Sequence, residues 1–403
     1  MTDDLDKCST PAPTAVPPVL DHRLANIEDL RRLAERATPR PFFGYLDSGS
    51  FEELTLQANR RDLDALTLRQ RVLAGVGLRE LSTTLVGQTS SLPVALAPTG
   101  LAGLIRADGE LHLARAAEVA GVPFTLSTVS ICSIEDVRAA TRQPFWFQLY
   151  VMRDRGVVRS LIERARAAQC SALMVTVDLA VQAPRLRDER NGMTLRPQLL
   201  NGPNVLDFIR KPGWIVRRLR SPRRNFGNLE RYVPGGPGKK PVPLVSAWIA
   251  DQLDPTMSWA DLDWIRSQWP GKLIVKGILD ADDARRAVQA GADAIVVSNH
   301  GGRQLDGALS SIRALPRVVQ AVAGEAEVLF DGGVRSGADV LKALASGARG
   351  ALLGRAPLYG LAALGEPGVA HALALIRREY DVSLALTGVR RTVDVGPEVL
   401  DVA

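Results

Sequence analysis

The sequence predicts an α/β chain whose eight parallel strands close into a (β/α)8 barrel, and three observations carry that expectation. Eight short apolar runs recur along the chain, stretches of helical period lie between most of them, and polar residues gather at one end of the runs only. Runs apolar on both faces belong to strands covered on both sides, and strands alternating with helices belong to a parallel sheet. Eight such units favour closure; a doubly wound open sheet is the alternative that the pattern leaves.

In chain order, residues 1–22 read as a disordered tail, first acidic and then rich in Pro and Ala. Asn26 stands as an N-cap, with Asp29 three residues on and Leu30, Leu33 and Ala34 at helical spacing, and the Pro39/Pro41 pair ends that helix. The eight runs follow at 94–97, 123–127, 145–150, 172–178, 272–276, 294–298, 328–331 and 351–354. Helical period marks 157–168, 281–289 and 338–345, among others. Four runs are preceded by near-identical helix exits, VAGVPF, AAQCSA, VQAGADA and LASGARG, in which a small residue or Gly turns the chain straight into a strand. The spacing is regular except for about a hundred residues between the fourth and fifth runs. Residues 195–258 are therefore an insertion in the loop after strand 4, on the face where barrel active sites sit. The barrel unit is expected over 23–395, with 396–403 a C-terminal tail.

The 403 residues are 46% apolar and 23% charged, as in an ordinary globular protein with a sizeable core. Their net charge of +6 is local: residues 208–226 (FIRKPGWIVRRLRSPRRNF) hold seven Lys/Arg and no acid, so the rest is close to neutral. That stretch interleaves its cations with Phe208, Ile209, Trp214, Ile215, Val216, Leu219 and Phe226. It reads as a peripheral membrane segment rather than a nucleic-acid module, and is too short and charged to span a bilayer. Cys8, Cys132 and Cys170 lie in no metal or redox spacing, so no metal site and no disulfide are expected. No signal peptide is apparent, and the expected location is cytoplasmic or peripheral on the inner face of the membrane.

The chemistry lies where the strands end. Pro98-Thr99-Gly100 follow the first run, Ser127 the second, and Gln148 and Tyr150 close the third. Thr176 and Asp178 end the fourth, Lys276 the fifth, Ser298 and His300 the sixth, Asp331-Gly332-Gly333 the seventh and Gly354-Arg355 the eighth. SNHGGRQLDGA (298–308) is the sharpest of these signals, and His300 is the one histidine at a strand end; His22 precedes the first helix, while His112 and His371 fall in helical patterns. A 2-hydroxy acid needs a base that works near neutral pH and a cation for its carboxylate, which His300 and the planar fork of Arg303 supply. Asp178 could orient the imidazole and stabilise imidazolium. FDGGVRSG (330–337) and LGRA (353–356) place glycines, Val334, Ser336, Arg335 and Arg355 where barrels bind a phosphate, and no Walker or dinucleotide glycine motif is present.

With these phrases in hand, APTG (97–100), FQLY (147–150), TVD (176–178), VKG (275–277), SNHGGRQLDG and DGG (331–333), the sequence resembles the FMN-dependent α-hydroxy acid dehydrogenase/oxidase family over about residues 25–395. PVALAPTGLAG, PFTLSTVSICSIEDV and GGRQLDGALSS are similar in style to that family's bacterial membrane-associated L-lactate dehydrogenases. The resemblance implies FMN as cofactor and oxidation of an L-2-hydroxy acid, L-lactate to pyruvate foremost, with electrons passed to a quinone or another acceptor. It implies that His300 is the base, that Tyr45 and Arg303 bind the substrate carboxylate, that Tyr150 bonds the substrate near its oxygen and that Arg185 is a second cation. Pro98, Thr99, Gly100, Ser127, Gln148 and Thr176 would line the flavin ring, and Lys276 would sit at its N1–C2=O edge with Ser298 nearby. Asp331, Gly332, Gly333, Val334, Arg335, Gly354 and Arg355 would hold the ribityl and phosphate end. The family's frequent homotetramers imply the same assembly here.

Departures from the family pattern leave questions open. APRLRDE (183–189) does not say whether Arg185 or Arg187 faces the substrate. Gly100 and Val129 stand where several relatives carry larger residues, which reads as added room and disfavours glycolate without separating lactate from mandelate. The alternatives are a mandelate-type dehydrogenase, an oxidase that uses O₂, and, from another class, a phosphate-binding barrel isomerase or aldolase.

Overall fold

A computed structural model describes residues 23–193, 201–235 and 242–401. The expected tail over 1–22, with Cys8 and His22, lies outside the described residues, as do short stretches of the 195–258 insertion. Eight parallel strands form one sheet: β1 Val94–Leu96, β2 Thr125–Ser127, β3 Trp146–Leu149, β4 Ala172–Thr176, β5 Lys272–Ile278, β6 Ala294–Val297, β7 Glu327–Asp331 and β8 Gly350–Leu353. Each pairs with its sequence neighbour, β8 pairs with β1, and a parallel bridge from Leu96 to Phe124 closes the ring. Every run predicted as a strand is one, and the closed barrel holds over the open sheet.

Side-chain alternation divides each strand between two cores. Ala95, Trp146, Met174, Ile274, Val296, Leu329 and Leu352 fill the barrel interior, while their neighbours in sequence pack outward against the helices. At the N-terminal mouth an antiparallel hairpin (Thr83–Leu85 with Gln88–Ser90) inserts Leu85 and Val86 into the interior as a plug. The same two-residue period continued upward puts Ser127, Gln148, Thr176, Lys276 and Asp331 into the top layer, so the polar strand ends face inward together.

Three helices precede the barrel: α1 Ile27–Ala37, α2 Arg40–Asp47 and α3 Leu54–Ala65. Asn26 caps α1 as expected, its side chain accepting from the Asp29 N–H at 2.9 Å. The outer layer comprises the helices Gly109–Ala120, Ile134–Ala140, Arg155–Ala167, Trp259–Gln268, Ala281–Gln289, Ser311–Val322, Gly337–Ala345 and Arg355–Leu364, with Glu366–Leu386 beyond. The expected tail at 396–403 is corrected as far as Asp401. Val399 is buried, Leu400 bridges to Leu68, and the Asp401 N–H donates to the Thr67 carbonyl at 3.0 Å.

Between β4 and Trp259–Gln268 the chain forms the helices Leu186–Arg190, Gly202–Ile209, Pro212–Arg220 and Val242–Asp251. Their packing corrects the uniform membrane reading of 208–226. Phe226 is buried, and Phe208 and Trp214 turn inward onto Phe42, with Trp214 and Phe42 stacked at a centroid distance of 4.9 Å. Ile209, Val216 and Leu219 stay exposed, joined by Val205 and Leu206. No helix among the described residues is long and apolar enough to cross a membrane.

Candidate active site

The C-terminal mouth opens into a cavity of about 790 Å³. Tyr45, Pro98, Thr99, Gly100, Tyr150, Thr176, Arg185, Lys276, His300, Arg303, Asp331, Gly332, Gly333, Val334, Arg335, Gly354 and Arg355 line it. Of the expected site residues, Ser127, Gln148, Asp178 and Ser298 stand one layer behind. Each bonds to residues at or beside the wall: Ser127 donates to Gln148 (2.9 Å), Asp178 meets His300, and Ser298 receives Lys276 (2.9 Å) and donates to Asp331 (2.7 Å).

His300 leaves β6 in the left-handed region (φ 58°), with its N–H on the Ser298 hydroxyl at 3.0 Å. Its Nδ1 lies 2.8 Å from Asp178 Oδ1, and its Nε2 is 3.5 Å from the Tyr150 hydroxyl. A carboxylate can only accept, so Nδ1 carries a proton, and in the neutral tautomer that this bond selects the lone pair is on Nε2. Burial opposes the charge on Asp178, but His300 and Lys276 outweigh it and hold the carboxyl below its ordinary pKa. Burial pushes the Tyr150 phenol up, so it remains a neutral donor. Lys276 is buried too, yet Asp331 (2.8 Å) and Asp178 raise its pKa and keep it cationic.

Arg303 and Arg185 flank the Tyr45 ring at 4.8 and 5.5 Å. Arg303 Nη1 donates to the carbonyls of Tyr45 (2.7 Å) and Ser48 (3.0 Å), which aims the fork from the end of α2. Burial and the neighbouring Arg185 pull the Arg303 pKa down to about 9, the signature of a cation without its anion. Arg187 points elsewhere, pairing with Glu53 (2.7 Å) and Asp47 (2.9 Å), so Arg185 is the one that reaches the cavity. The reading of added room is corrected at Gly100. A Cβ at position 100 would meet Val129 Cγ2 at 2.6 Å, so the valine fills what the glycine vacates.

The residues present fit FMN. Gln148 Nε2 is buried in the top layer of the barrel without a partner, a donor suited to a polar ring edge. On the opposite wall, Gly333 packs so closely on α3 that a Cβ would lie 2.6 Å from the Asn59 carbonyl. Beside it, Arg335 lines the cavity and the helix Arg355–Leu364 begins there, a cation and a helix N-terminus of the kind that suits a phosphate. The guanidinium of Arg355 is turned to the carbonyls of Leu46, Gly301 and Ser48, so it offers an anion its charge and its helix N-terminus.

Sequence reasoning missed the apolar part of the wall. Met152, Leu179, Met193, Phe226, Val242, Ile249 and Leu253 line the cavity, several from the insertion. An antiparallel bridge from Met152 to Leu253 ties the insertion to the loop after β3, a pairing with no local sequence signal. It also missed Asn59, whose amide exchanges two hydrogen bonds with Asn299 (2.9 and 2.8 Å) behind His300.

A barrel that gathers a carboxylate-held imidazole, two guanidiniums and a buried ammonium around one cavity at the C-terminal ends of its strands has the architecture of a (β/α)8 enzyme. The model of the FMN-dependent dehydrogenase family matches residues 34–402, and the chain belongs to that family. FMN is therefore its cofactor, and 2-hydroxy acids are its substrate class. It is 47% identical over 384 residues to the L-lactate dehydrogenase of Caulobacter vibrioides (strain NA1000 / CB15N), covering 94% of this chain and 97% of that protein. To the L-lactate dehydrogenase of Stenotrophomonas maltophilia (strain K279a) it is 48% identical over 379 residues, 92% of this chain and 97% of that one. Among solved structures, the monotopic membrane protein (S)-mandelate dehydrogenase superposes with a TM-score of 0.88 at 37% identity, covering 94% of this chain and 99% of that one.

Proposed function

We propose that this chain oxidises L-lactate to pyruvate and passes the electrons to a membrane quinone. The observation that carries the reading is the setting of His300, tied to Asp178 on one nitrogen and with the other near the Tyr150 hydroxyl, beside the buried Arg303 guanidinium, which has no ion-pair partner among the described residues, and Arg185, which pairs with Asp188 at 3.5 Å. When bound, FMN supplies the acceptor for the hydride equivalent that leaves the substrate α-carbon. Arg303 and Arg185 bind the substrate carboxylate, with the Tyr45 hydroxyl as a third donor. Tyr150 donates to the substrate oxygen, and His300 Nε2 accepts the proton that the substrate gives up. Asp178 then stabilises the imidazolium. Lys276 holds a positive charge at the cavity floor, where negative charge develops during oxidation. Ser298 and Asp331 keep that ammonium in place.

The exposed apolar residues of Gly202–Ile209 and Pro212–Arg220, set among cations, support peripheral docking on an anionic membrane beside the cavity mouth. A second reading, a mandelate-type substrate, is favoured by the apolar wall of Met152, Leu179, Ile249 and Leu253, which would accept an aryl group.

Anaerobic bleaching of the bound flavin by L-lactate, L-mandelate, glycolate and long-chain 2-hydroxy acids ranks the substrates. His300→Ala is expected to retain FMN while reduction falls by about 10²–10⁴-fold or more. Reduction at the native rate in that variant would refute the assignment.

A further inference from the structure

The helix Pro212–Arg220 is fastened to the barrel by one side chain. Trp214 Nε1 donates to the carbonyls of Leu104 (3.1 Å) and Ile105 (3.0 Å) while its ring stacks on Phe42. The next residue after those two carbonyls is Arg106, and Arg217 lies one turn beyond Trp214, so the anchor sets both on its flanks, near enough for the charge of Arg217 to act on Arg106. Neither side chain has a hydrogen-bond or ion-pair partner among the described residues, and the Nε of Arg217 is closed off from solvent. Arg106 lies flat against Gly365, where a Cβ would approach its Nε to 2.7 Å. Burial and Arg217 both push the Arg106 pKa down.

Several other cations of this stretch are provided for, while Arg210 and Arg220 point to solvent. Arg223 pairs with Asp108 (3.2 Å) and Asp136 (2.9 Å), Lys211 pairs with Asp207 (3.5 Å), and Arg218 donates to the carbonyls of Arg223 and Arg224. Half-buried guanidiniums that repel each other with no counter-ion cost stability unless an anion joins them. The exposed face beside them carries Leu206, Ile209, Val216 and Leu219. An anion that brings its own hydrocarbon matches both features at once.

We propose that Arg106 and Arg217 form a binding site for the phosphodiester of an anionic lipid headgroup, with the acyl chains lying along Val216 and Leu219. The proposal rests on the membrane reading of this segment and sharpens it from diffuse attraction to a built site. Two guanidiniums in a fixed pair clasp a phosphate through several N–H donors, whereas loose surface cations only raise its local concentration.

The test uses FMN-loaded protein sedimented with vesicles of phosphatidylcholine, alone or mixed with phosphatidylglycerol. Three forms are compared: native, Arg106→Gln/Arg217→Gln, and Arg210→Gln/Arg220→Gln, which removes equal charge from the insertion outside the site. Dye-linked flavin reduction, carried by other residues, checks that each form is folded. The expected result is native binding that requires phosphatidylglycerol, a loss of about tenfold or more in the 106/217 variant and a smaller loss in the control. Equal losses in the two variants would overturn the site and leave diffuse membrane attraction standing. Native protein that sediments with neither vesicle would defeat the membrane reading itself. Inorganic phosphate that binds the native protein but not the 106/217 variant, while the two sediment equally with phosphatidylglycerol vesicles, would assign the pair to free phosphate and overturn the lipid assignment.

Discussion

Asp178 and His300 meet at 2.8 Å through Oδ1 and Nδ1, although 122 positions separate them in the chain. They stand at the ends of β4 and β6, with β5 running between. Asn at 178 keeps the shape but can present an N–H to Nδ1, which favours the tautomer with its proton on Nε2. Asp178→Asn should therefore cut flavin reduction by about 10²–10⁴-fold with FMN affinity near native. Stopped-flow reduction checks it; an unchanged rate would mean that Asp178 does not orient the base.

β5 makes room for that pair. Its register shifts between Lys276 and Ile278, and Gly277 (φ 112°) passes so close that a Cβ would lie 2.6 Å from Asp178 Cγ. Gly277→Ala removes no functional group, yet it should displace Asp178 and slow reduction by about 10²-fold. A crystal structure with Asp178 unmoved would contradict this account.

Lys276→Met should weaken FMN binding and slow reduction by about 10²–10³-fold, because a buried cation that stabilises developing negative charge is lost. Sulfite addition to flavin N5 depends on the same charge and should weaken in parallel. Sulfite affinity equal to native would place Lys276 away from the flavin.

The two arginines of the APRLRDE stretch should part company. Arg185→Met and, through loss of its fork, Arg303→Lys are expected to lower kcat/KM by about 10- to 100-fold, the worth of a charged hydrogen bond. Arg187→Met should leave kcat/KM near native and instead lower thermal stability, since its partners are Asp47 and Glu53. The reverse pattern would exchange their roles.

Asp47 gives a pH-dependent prediction. Burial opposes its charge, but Arg31 (2.8 Å), Tyr359 and Arg187 outweigh it and hold the carboxyl well below the usual carboxylate range. A depressed folded-state pKa contributes stability above the unfolded value of about 4 and loses it as pH falls through the folded value. Asp47→Asn should thus cost about 3 kcal/mol at neutral pH, with the deficit shrinking below about pH 4. Denaturant melts at both pH values check the trend; a deficit constant with pH would rule out the charge as its source.

The barrel was legible because its strands are apolar on both faces and its helix exits repeat, signals that lie within a few residues of one another. The phrase SNHGGRQLDG was legible as a motif but not as a structure. Asn299 bonds Asn59, Gly302 packs on the first turn of α3, Gln304 holds the carbonyls of Asp178 and Val181, and Asp306 accepts from the Glu52 and Thr55 N–H groups. Those partners are distant in sequence, so no local pattern announces them. Trp214, Phe208 and Phe226 misled for a related reason: an aromatic among arginines looks the same in one dimension whether it faces lipid or Phe42.

The reciprocal amides of Asn59 and Asn299 bear on how this protein can be recombined. Each Oδ1 faces the other's Nδ2, and Asn59 Oδ1 also accepts the Ser311 N–H at 3.2 Å. A carboxylate at either position would set two acceptors against each other, whereas a compensating change would have to occur in both segments together. Hybrids between this chain and a relative should therefore inherit residues 54–65 and 298–311 from the same parent. A crossover that parts them would assemble the barrel around a mismatched amide directly beneath the base.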